Sequence, residues 1–166
     1  MMRRWHLALL PLVLPANYLF AVARHEGTHA LVARAFGAEI AEVHLWPPRG
    51  VNLSWLTIGF RHPPHAAAVP AEAAAPYVVA VALIALGLWW AGRLPSGFLR
   101  ANVLLTAVVF PAAEIATNVL AFWKGPNDFY FVLGTQALVA RVLVTATAAV
   151  VGIAAVRGTT ARLRQA

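Results

Sequence analysis

The sequence predicts an all-α membrane protein of one domain, with four transmembrane helices and a small β-hairpin between the first and second helices. Hydrophobic residues make up 61% of the 166 residues and charged residues only 11%, whereas about a quarter of the residues in soluble domains are charged. The mean hydropathy is +0.71. Four apolar runs each approach the ~20 residues with which a helix crosses ~30 Å of hydrocarbon.

The first apolar run, about residues 7–36, predicts one long helix that ends at Gly37. Glycine is well suited to close a helix at its C-terminus. Such a helix would be roughly 45 Å long, so its C-terminal part should lie near or beyond one membrane interface. An alternative is a signal peptide, because Arg3 and Arg4 precede an apolar stretch that ends in Ala21-Val22-Ala23.

The next segment, about residues 38–60, is rich in β-branched and aromatic residues on both sides of Pro47-Pro48-Arg49-Gly50. This pattern predicts a β-hairpin. A linker rich in alanine and proline follows and leads to the second span. The second, third and fourth spans are predicted at about residues 75–92, 98–123 and 129–156.

The net charge of +7 does not indicate a nucleic-acid partner, because the arginines lie at the ends of apolar runs and form no basic face with aromatics. With the N-terminus in the cytoplasm, most arginines fall on the cytoplasmic side, as the positive-inside rule favours. We therefore expect a multi-pass protein of a bacterial-type cytoplasmic membrane with both termini cytoplasmic. The sequence carries no signal for an oligomeric state.

The sequence H-E-G-T-H from His25 to His29 lies within the first predicted helix. Residues four apart share a helix face, so His25 and His29 can both bind one zinc ion. Glu26 would then stand beside the metal as the base for hydrolysis of a peptide bond. The alternative is structural: the two histidines bond to neighbouring helices, and Glu26 offsets Arg24 or Arg34. Ionisable groups beside a bilayer are costly and usually functional, which favours the metal.

A catalytic zinc ion needs a third protein ligand, and the chain has no cysteine to supply it. Asp128, the only aspartate, follows the third span, while Glu114 lies inside that span and is the alternative third ligand. Arg141 lies in the middle of the fourth span, so we expect it to form a buried ion pair with Glu114. Asp128 then remains for the metal, although a residue at this position can also cap the fourth helix.

Glu114, Thr117 and Asn118 fall at i, i+3 and i+4 and predict one polar stripe along the third helix. Such a stripe is expected to line a wet cavity, where Asn118 would contact the substrate or the developing oxyanion. Interhelical packing is the competing interpretation for Asn118. Four further histidines are expected to be structural or to face solvent: His6, His44, His62 and His65.

The segment from His25 to Gly37 resembles the H-E-x-G-H-A-x-x-A-R-x-x-G signature of the site-2 protease family of intramembrane metalloproteases, with Thr28 where glycine is usual. Ala75-Pro76 stands where that family opens its second span with a small-Gly-Pro sequence. The resemblance implies that the two histidines bind zinc, that Glu26 is the base, and that an aspartate after the third core helix, here Asp128, completes the site.

These observations together predict a membrane-embedded zinc endopeptidase that cleaves membrane protein or peptide substrates. A strand edge of the hairpin would pair with an unwound segment of the substrate. The main alternative is a non-catalytic membrane protein that binds clients or uses zinc to tie its helices together. Metal transport is disfavoured, because the fourth span offers few polar residues for a path: Thr135, Gln136 and Arg141.

Overall fold

The computed structural model describes residues 10–45, 56–62, 66–95 and 97–164, and most of these residues are helical. The elements in chain order are α1 (Leu10–Ala35), β1 (Glu39–Leu45), β2 (Leu56–His62), a 3₁₀ turn (Ala66–Ala68) that leads into α2 (Val69–Ala91), α3 (Gly97–Leu104), a π-helical turn (Leu105–Val109), α4 (Phe110–Lys124), α5 (Asp128–Leu133) and α6 (Leu138–Arg164).

The C-terminus of α1 is closed at Gly37, the residue at which the sequence predicts the end of this helix. Gly37 has a φ of 85°, in the left-handed region that glycine adopts without steric cost. Two backbone hydrogen bonds complete the cap, from Gly37 N to Arg34 O and from Ala38 N to Ala33 O, each 3.0 Å long. This Schellman arrangement satisfies carbonyls that the helix leaves unpaired and turns the chain into β1.

The strands β1 and β2 pair antiparallel, with Ile40 opposite Phe60 and Leu45 opposite Leu56. The register shifts on both sides of Ile40. Both strands carry β-branched and aromatic residues that fit a pleated surface. Residues 46–55, which include the predicted turn, lie outside the described residues. β2 packs against α1, and this contact brings the strand beside the H-E-G-T-H segment.

α2 begins at Val69, ahead of the predicted start at residue 75. Residues 69–74, which the sequence predicts as part of the linker, are helical because alanine is the strongest helix former. Pro70 falls in the first turn, where its missing N–H costs nothing. Glu72 also lies in the first turn, where the helix dipole favours a carboxylate. The early start places Glu72 on a rigid helix.

α3 and α4 form one continuous helix that is interrupted by the π-helical turn Leu105–Val109. In this turn the N–H of Phe110 donates to the carbonyl of Leu105, five residues earlier. Pro111 follows at once, and a proline has no N–H and clashes with the carbonyl four residues before it. The wider turn accommodates the proline without ending the helix.

The fourth apolar run does not form the single helix predicted over residues 129–156, and that prediction is wrong. The run divides into α5 and α6 at Gly134, whose φ is 66° and whose N–H donates to Tyr130 O at 2.7 Å. The Thr135 hydroxyl then accepts a hydrogen bond from Ala137 N at 3.1 Å, ahead of α6. As a result, Asp128 is the first residue of a short separate helix.

Three of the described helices are long and apolar enough to cross a membrane, over residues 66–91, 97–124 and 138–164. The predicted first span is not among them, because α1 carries Arg24, His25, Glu26 and Arg34 within its second half. The crossing of α1 therefore stays a prediction. The three apolar helices agree with a membrane protein.

α1 runs parallel to the α3–α4 helix, as two interhelical contacts show. Asn17 accepts a hydrogen bond from the Thr106 hydroxyl, and His25 bonds to Glu114 eight residues further along both helices. α2 runs in the opposite direction, and its small residues, among them Ala80, lie at the centre of the core. The start of α2, the end of α4 and the second half of α1 therefore meet at one end of the bundle.

The opposite end of the bundle is held by Arg100, which is 8% exposed. Its guanidinium donates to Ala91 O at 3.1 Å and to Leu94 O at 2.7 Å, and so caps the C-terminus of α2. Arg162 of α6 donates to Leu88 O at 3.1 Å in the same region. A cation at a helix C-terminus is favoured by the helix dipole.

Candidate metal centre

Three potential metal ligands converge where α1 meets the start of α5. His25 and His29, one turn apart on α1, place their Nε2 atoms 3.1 Å from each other. Oδ2 of Asp128 lies 3.5 Å from each of those nitrogens. Within the described residues, these three form a group of His and Asp side chains that could hold a metal ion.

The three distances match the donor spacing of a tetrahedral zinc site. Ligand atoms at about 2.0–2.1 Å from a tetrahedral zinc ion lie roughly 3.3–3.4 Å from one another. The observed edges of 3.1, 3.5 and 3.5 Å outline one face of such a tetrahedron. The residues present therefore fit a zinc ion with three protein ligands and a fourth position free for water or substrate.

The orientation of the His25 ring is set by Glu114 of α4. Nδ1 of His25 donates to Oε1 of Glu114 at 2.9 Å, so Nε2 is the ring nitrogen that faces the site. Glu114 also forms an ion pair with Arg24, and both side chains are about nine-tenths buried. A histidine ligand normally donates its second N–H to a carboxylate or carbonyl, which fixes the tautomer and raises the basicity of the ring.

His29 has an equivalent partner on α2. Its Nδ1 donates to Oε1 of Glu72 at 2.8 Å and lies 3.1 Å from the Glu72 carbonyl oxygen. Both acceptors belong to one residue in the first turn of a helix, where backbone and side chain are held together. Each of the two histidines is thus oriented from a different helix, with its Nε2 turned inward.

Asp128 is positioned by contacts on both sides. The neighbouring Asn127 caps α5 by accepting a hydrogen bond from Phe129 N at 3.1 Å, and its amide donates to Asn118 O of α4 at 2.7 Å. The Tyr77 hydroxyl donates to Oδ2 of Asp128 at 2.6 Å. Asn127, and not Asp128, is therefore the helix cap.

Asp128 is held in its anionic form. Burial alone would raise the pKa of this carboxyl group, but hydrogen bonds from His25, His29 and Tyr77 lower its pKa well below the ordinary value for aspartate. The ionised carboxylate is the form that binds a cation.

A cavity of about 390 Å³ opens beside the three ligands. Glu26 lines it from α1, Asn118 from α4, and Ile58 from β2. The nitrogen of the Asn118 side chain donates one of its two N–H groups within its own helix to Glu114 O at 3.1 Å, which leaves its second N–H and its oxygen for other partners. Of the predicted polar stripe, Thr117 is exposed and donates to Glu114 O. The cavity has the polar walls that bound water requires.

A second, larger cavity of about 550 Å³ adjoins the site and has almost entirely apolar walls. It lies between α6 and the α2, α4 and α5 helices. Tyr77 and Phe129 belong to its lining, and their rings stack with centroids 4.5 Å apart. This aromatic pair separates the apolar groove from the three candidate ligands.

The predicted ion pair between Glu114 and Arg141 is wrong. Glu114 contacts Arg24 and His25 instead, because α1 and α4 run side by side. Arg141 donates to the Gln136 side chain at 3.3 Å and lies near the rings of two aromatic residues of α4, Phe122 and Trp123. Glu114 was the alternative third ligand. Its carboxylate contacts Nδ1 of His25, the ring nitrogen that points away from the site, and Glu114 is not one of the three residues that converge there.

Among the remaining histidines, His44 has a side chain that is 51% exposed and lies 3.1 Å from Glu42 on the same strand. It faces solvent, as expected. The His62 side chain, His65 and His6 lie outside the described residues.

Two contact residues, Glu72 and Tyr77, were not predicted from the sequence. Glu72 carried one usable signal, since it is the only acidic residue in an otherwise apolar stretch of alanine and proline. Nothing distinguishes Tyr77 from the apolar residues around it. The roles of both depend on how α2 packs against α1 and α5, which local sequence does not encode.

Comparison of the chain with protein-family models, curated proteins and solved structures finds no significant match. The resemblance to the site-2 protease family is therefore an expectation from the sequence alone, from the segment His25 to Gly37 and from Ala75-Pro76.

Proposed function

We propose that this protein is a membrane-embedded zinc endopeptidase of the site-2 protease type, with His25, His29 and Asp128 as the metal ligands. The observation that carries the proposal is the triangle of two Nε2 atoms and one carboxylate oxygen with edges of 3.1, 3.5 and 3.5 Å. A structural zinc site has four protein ligands, whereas a catalytic site has three and an open position. The adjoining polar cavity favours the catalytic kind.

Glu26 is the proposed base. A bound zinc ion would lower the pKa of a coordinated water molecule toward ~7 and would polarise the scissile carbonyl group. The Glu26 carboxylate, on the cavity wall, would accept a proton from a water molecule at the open position and would later deliver it to the leaving amine nitrogen. Glu26 is one residue from His25 on the helix, so it reaches the cavity without itself being a ligand.

Asn118 and β2 are the proposed substrate contacts. The second N–H of the Asn118 amide, on the cavity wall, can donate to the substrate carbonyl oxygen as negative charge develops there. β2 lines the same cavity through Ile58, and within the described residues each of the two strands pairs along one edge only. An extended substrate segment can add to such an edge through main-chain hydrogen bonds.

We further propose that α1 is the first of four membrane spans, with a hairpin built on β1 and β2 between it and α2. In this topology both termini are cytoplasmic, and the metal centre lies near the opposite membrane face. The parallel course of α1 and the α3–α4 helix supports this, because parallel spans end on the same side of the bilayer. The apolar groove between α6 and α2 would then face lipid and the spans of membrane protein substrates.

The test is a Glu26→Gln variant, with Glu42→Gln as its matched control on the exposed strand β1. The proteins are reconstituted in phospholipid vesicles with a panel of single-span reporter proteins, and products are identified by mass spectrometry. Glu26→Gln should lower the cleavage rate by about 10²–10⁴-fold while retaining zinc, and Glu42→Gln should retain both. Cleavage by Glu26→Gln at the wild-type rate would sink the mechanism.

The non-catalytic alternative makes a different prediction in the same experiment. If zinc only ties α1 to α5, the wild-type protein binds zinc with the same three ligands but cleaves none of the reporters. Metal analysis also separates the two candidate carboxylates. Asp128→Ala should leave only the weaker zinc affinity of the two histidines, measurable by chelator competition, so that the purified variant no longer retains stoichiometric zinc. Loss of zinc confined to Glu114→Ala would overturn the ligand assignment.

A further inference from the structure

Tyr77 is the one phenol that contacts a candidate ligand within the described part of the chain. Its side chain lies on α2, and the residue is 8% exposed. The hydroxyl donates to Oδ2 of Asp128 at 2.6 Å, the same oxygen that lies 3.5 Å from each imidazole Nε2. The hydrogen bond therefore acts on the atom of Asp128 that faces the two histidines.

The ring of Tyr77, like its hydroxyl group, has defined contacts. It stacks on Phe129 at a centroid distance of 4.5 Å and meets the His25 ring edge-on at 5.8 Å. A phenylalanine would fill this position equally well, so packing does not require the hydroxyl group. A buried hydroxyl is costly unless it is hydrogen-bonded, and here its partner is a charged group of the site.

We propose that Tyr77 is a positioning residue for Asp128, an inference that rests on the proposed zinc site. A carboxylate on a single aspartate can rotate about its bonds and present either oxygen, or both, to a cation. The Tyr77 hydroxyl holds Oδ2 toward the histidines and keeps the carboxylate in a one-oxygen binding mode. Glu114 and Glu72 contact the outer Nδ1 atoms of the two histidines, whereas Tyr77 contacts the ligating oxygen of Asp128 itself.

Each of the three candidate ligands thus has a hydrogen-bonding partner on α2 or α4. Glu72 and Tyr77 both come from α2, so this helix orients one histidine and the aspartate together. Removal of such an outer partner typically weakens metal binding by about 10–100-fold. The same loss is expected for Tyr77→Phe, which removes only the hydroxyl and retains the aromatic stacking.

The test is a double-mutant cycle on zinc affinity, measured by chelator competition on the purified full-length protein in detergent. Tyr77→Phe should weaken zinc binding by about 10–100-fold in the wild-type background. It should have no further effect in an Asp128→Ala background, because the hydroxyl acts only through that carboxylate. Tyr130→Phe, on α5 and next to Phe131, is the control and should leave the affinity unchanged.

A second readout is the visible absorption spectrum of the Co²⁺-substituted protein, which reports ligand geometry without any need for activity. The band positions should shift in Tyr77→Phe and not in Tyr130→Phe. Unchanged zinc affinity and an unchanged Co²⁺ spectrum in Tyr77→Phe would overturn the inference while leaving the zinc site intact. Equal losses in both backgrounds would also overturn it, since they would indicate general packing. A wild-type protein that binds neither metal would refute the proposed function itself.

Discussion

The imidazoles of His25 and His29 are oriented by carboxylates that belong to other helices. His25 is held by Glu114, which also neutralises Arg24, and His29 is held by Glu72. The two carboxylates differ in their other ion-pair partners. Glu114 compensates a buried guanidinium, whereas Glu72 contacts only His29 among the ion pairs of the described residues. Glu72 is therefore the cleaner probe of metal binding.

Glu72→Ala is expected to weaken zinc binding by about 10–100-fold, because His29 loses the partner that fixes its tautomer. The measurement is the zinc dissociation constant of the purified protein. Glu42→Ala, which removes the exposed partner of His44, is the matched control and should not change the constant. An unaltered constant in Glu72→Ala would mean that the Glu72 carbonyl oxygen alone is enough to orient the ring.

Glu114→Ala is expected to destabilise the fold as well as the site. It leaves Arg24, which is about nine-tenths buried, without a counter-charge, and a buried charge that loses its partner typically costs about 3–5 kcal/mol. Thermal unfolding in detergent should show a lower midpoint for Glu114→Ala. The midpoint should recover partly in the double variant Arg24→Leu/Glu114→Leu, in which no unpaired charge remains. A double variant as unstable as the single one would contradict this explanation.

At the scale of elements, the close approach of α2 to the π-helical turn depends on Gly87. A Cβ atom added at Gly87 would lie 2.7 Å from Cβ of Ala107 and 3.0 Å from a methyl carbon of Val108. Neither neighbour can move away easily, because the Cβ atom of Ala107 is fixed to the helix backbone and Val108 is fully buried. Gly87 therefore sets the distance between α2 and the helix that carries Glu114.

Gly87→Ala is expected to lower the free energy of unfolding by about 1–3 kcal/mol, since overpacking must push the two helices apart. Gly152→Ala on α6 is the control, because a Cβ atom there would meet no other atom within 4 Å. This control should be neutral or slightly stabilising, by up to about 1 kcal/mol, from helix propensity alone. Equal stabilities of the two variants would show that α2 can move away from the π-helical turn without loss of folding free energy.

Local features of the sequence predicted the parts of the fold that depend on neighbouring residues. The spacing of His25 and His29 and the helix end at Gly37 are of this kind. The Glu114–Arg141 pair failed because depth along two helices does not determine which side chains face each other. The single fourth helix failed because an apolar run does not reveal a left-handed glycine at Gly134. Tyr77 was missed because its role exists only after three helices have packed.

At the scale of the whole molecule, the bundle has two different ends. The metal centre and both strands lie at one end, and Arg100 and Arg162 bond to the end of α2 at the other. The basic end is the one that the positive-inside rule assigns to the cytoplasm. In the proposed topology, the candidate metal centre would lie on the opposite side of the membrane from the chain termini.

This orientation is tested by single cysteines, since the chain has none of its own. A membrane-impermeant maleimide should label Lys124→Cys in intact cells and Pro95→Cys only after the membrane is permeabilised. Leu120→Cys, whose native side chain is 62% exposed on an apolar helix, should resist labelling throughout because the proposed topology turns it toward lipid. The reverse order of labelling would invert the topology, and equal labelling of all three would contradict membrane insertion.

The π-helical turn between α3 and α4 determines which residues of α4 face the site. A turn of this kind is equivalent to one residue inserted into a regular helix. Deletion of a single residue there would restore an α-helix and rotate everything that follows by about 100°. Glu114 and Asn118 would then point away from α1, although no site residue had been changed. For this helix, the number of residues before Glu114 is as much a requirement of the site as the carboxylate itself.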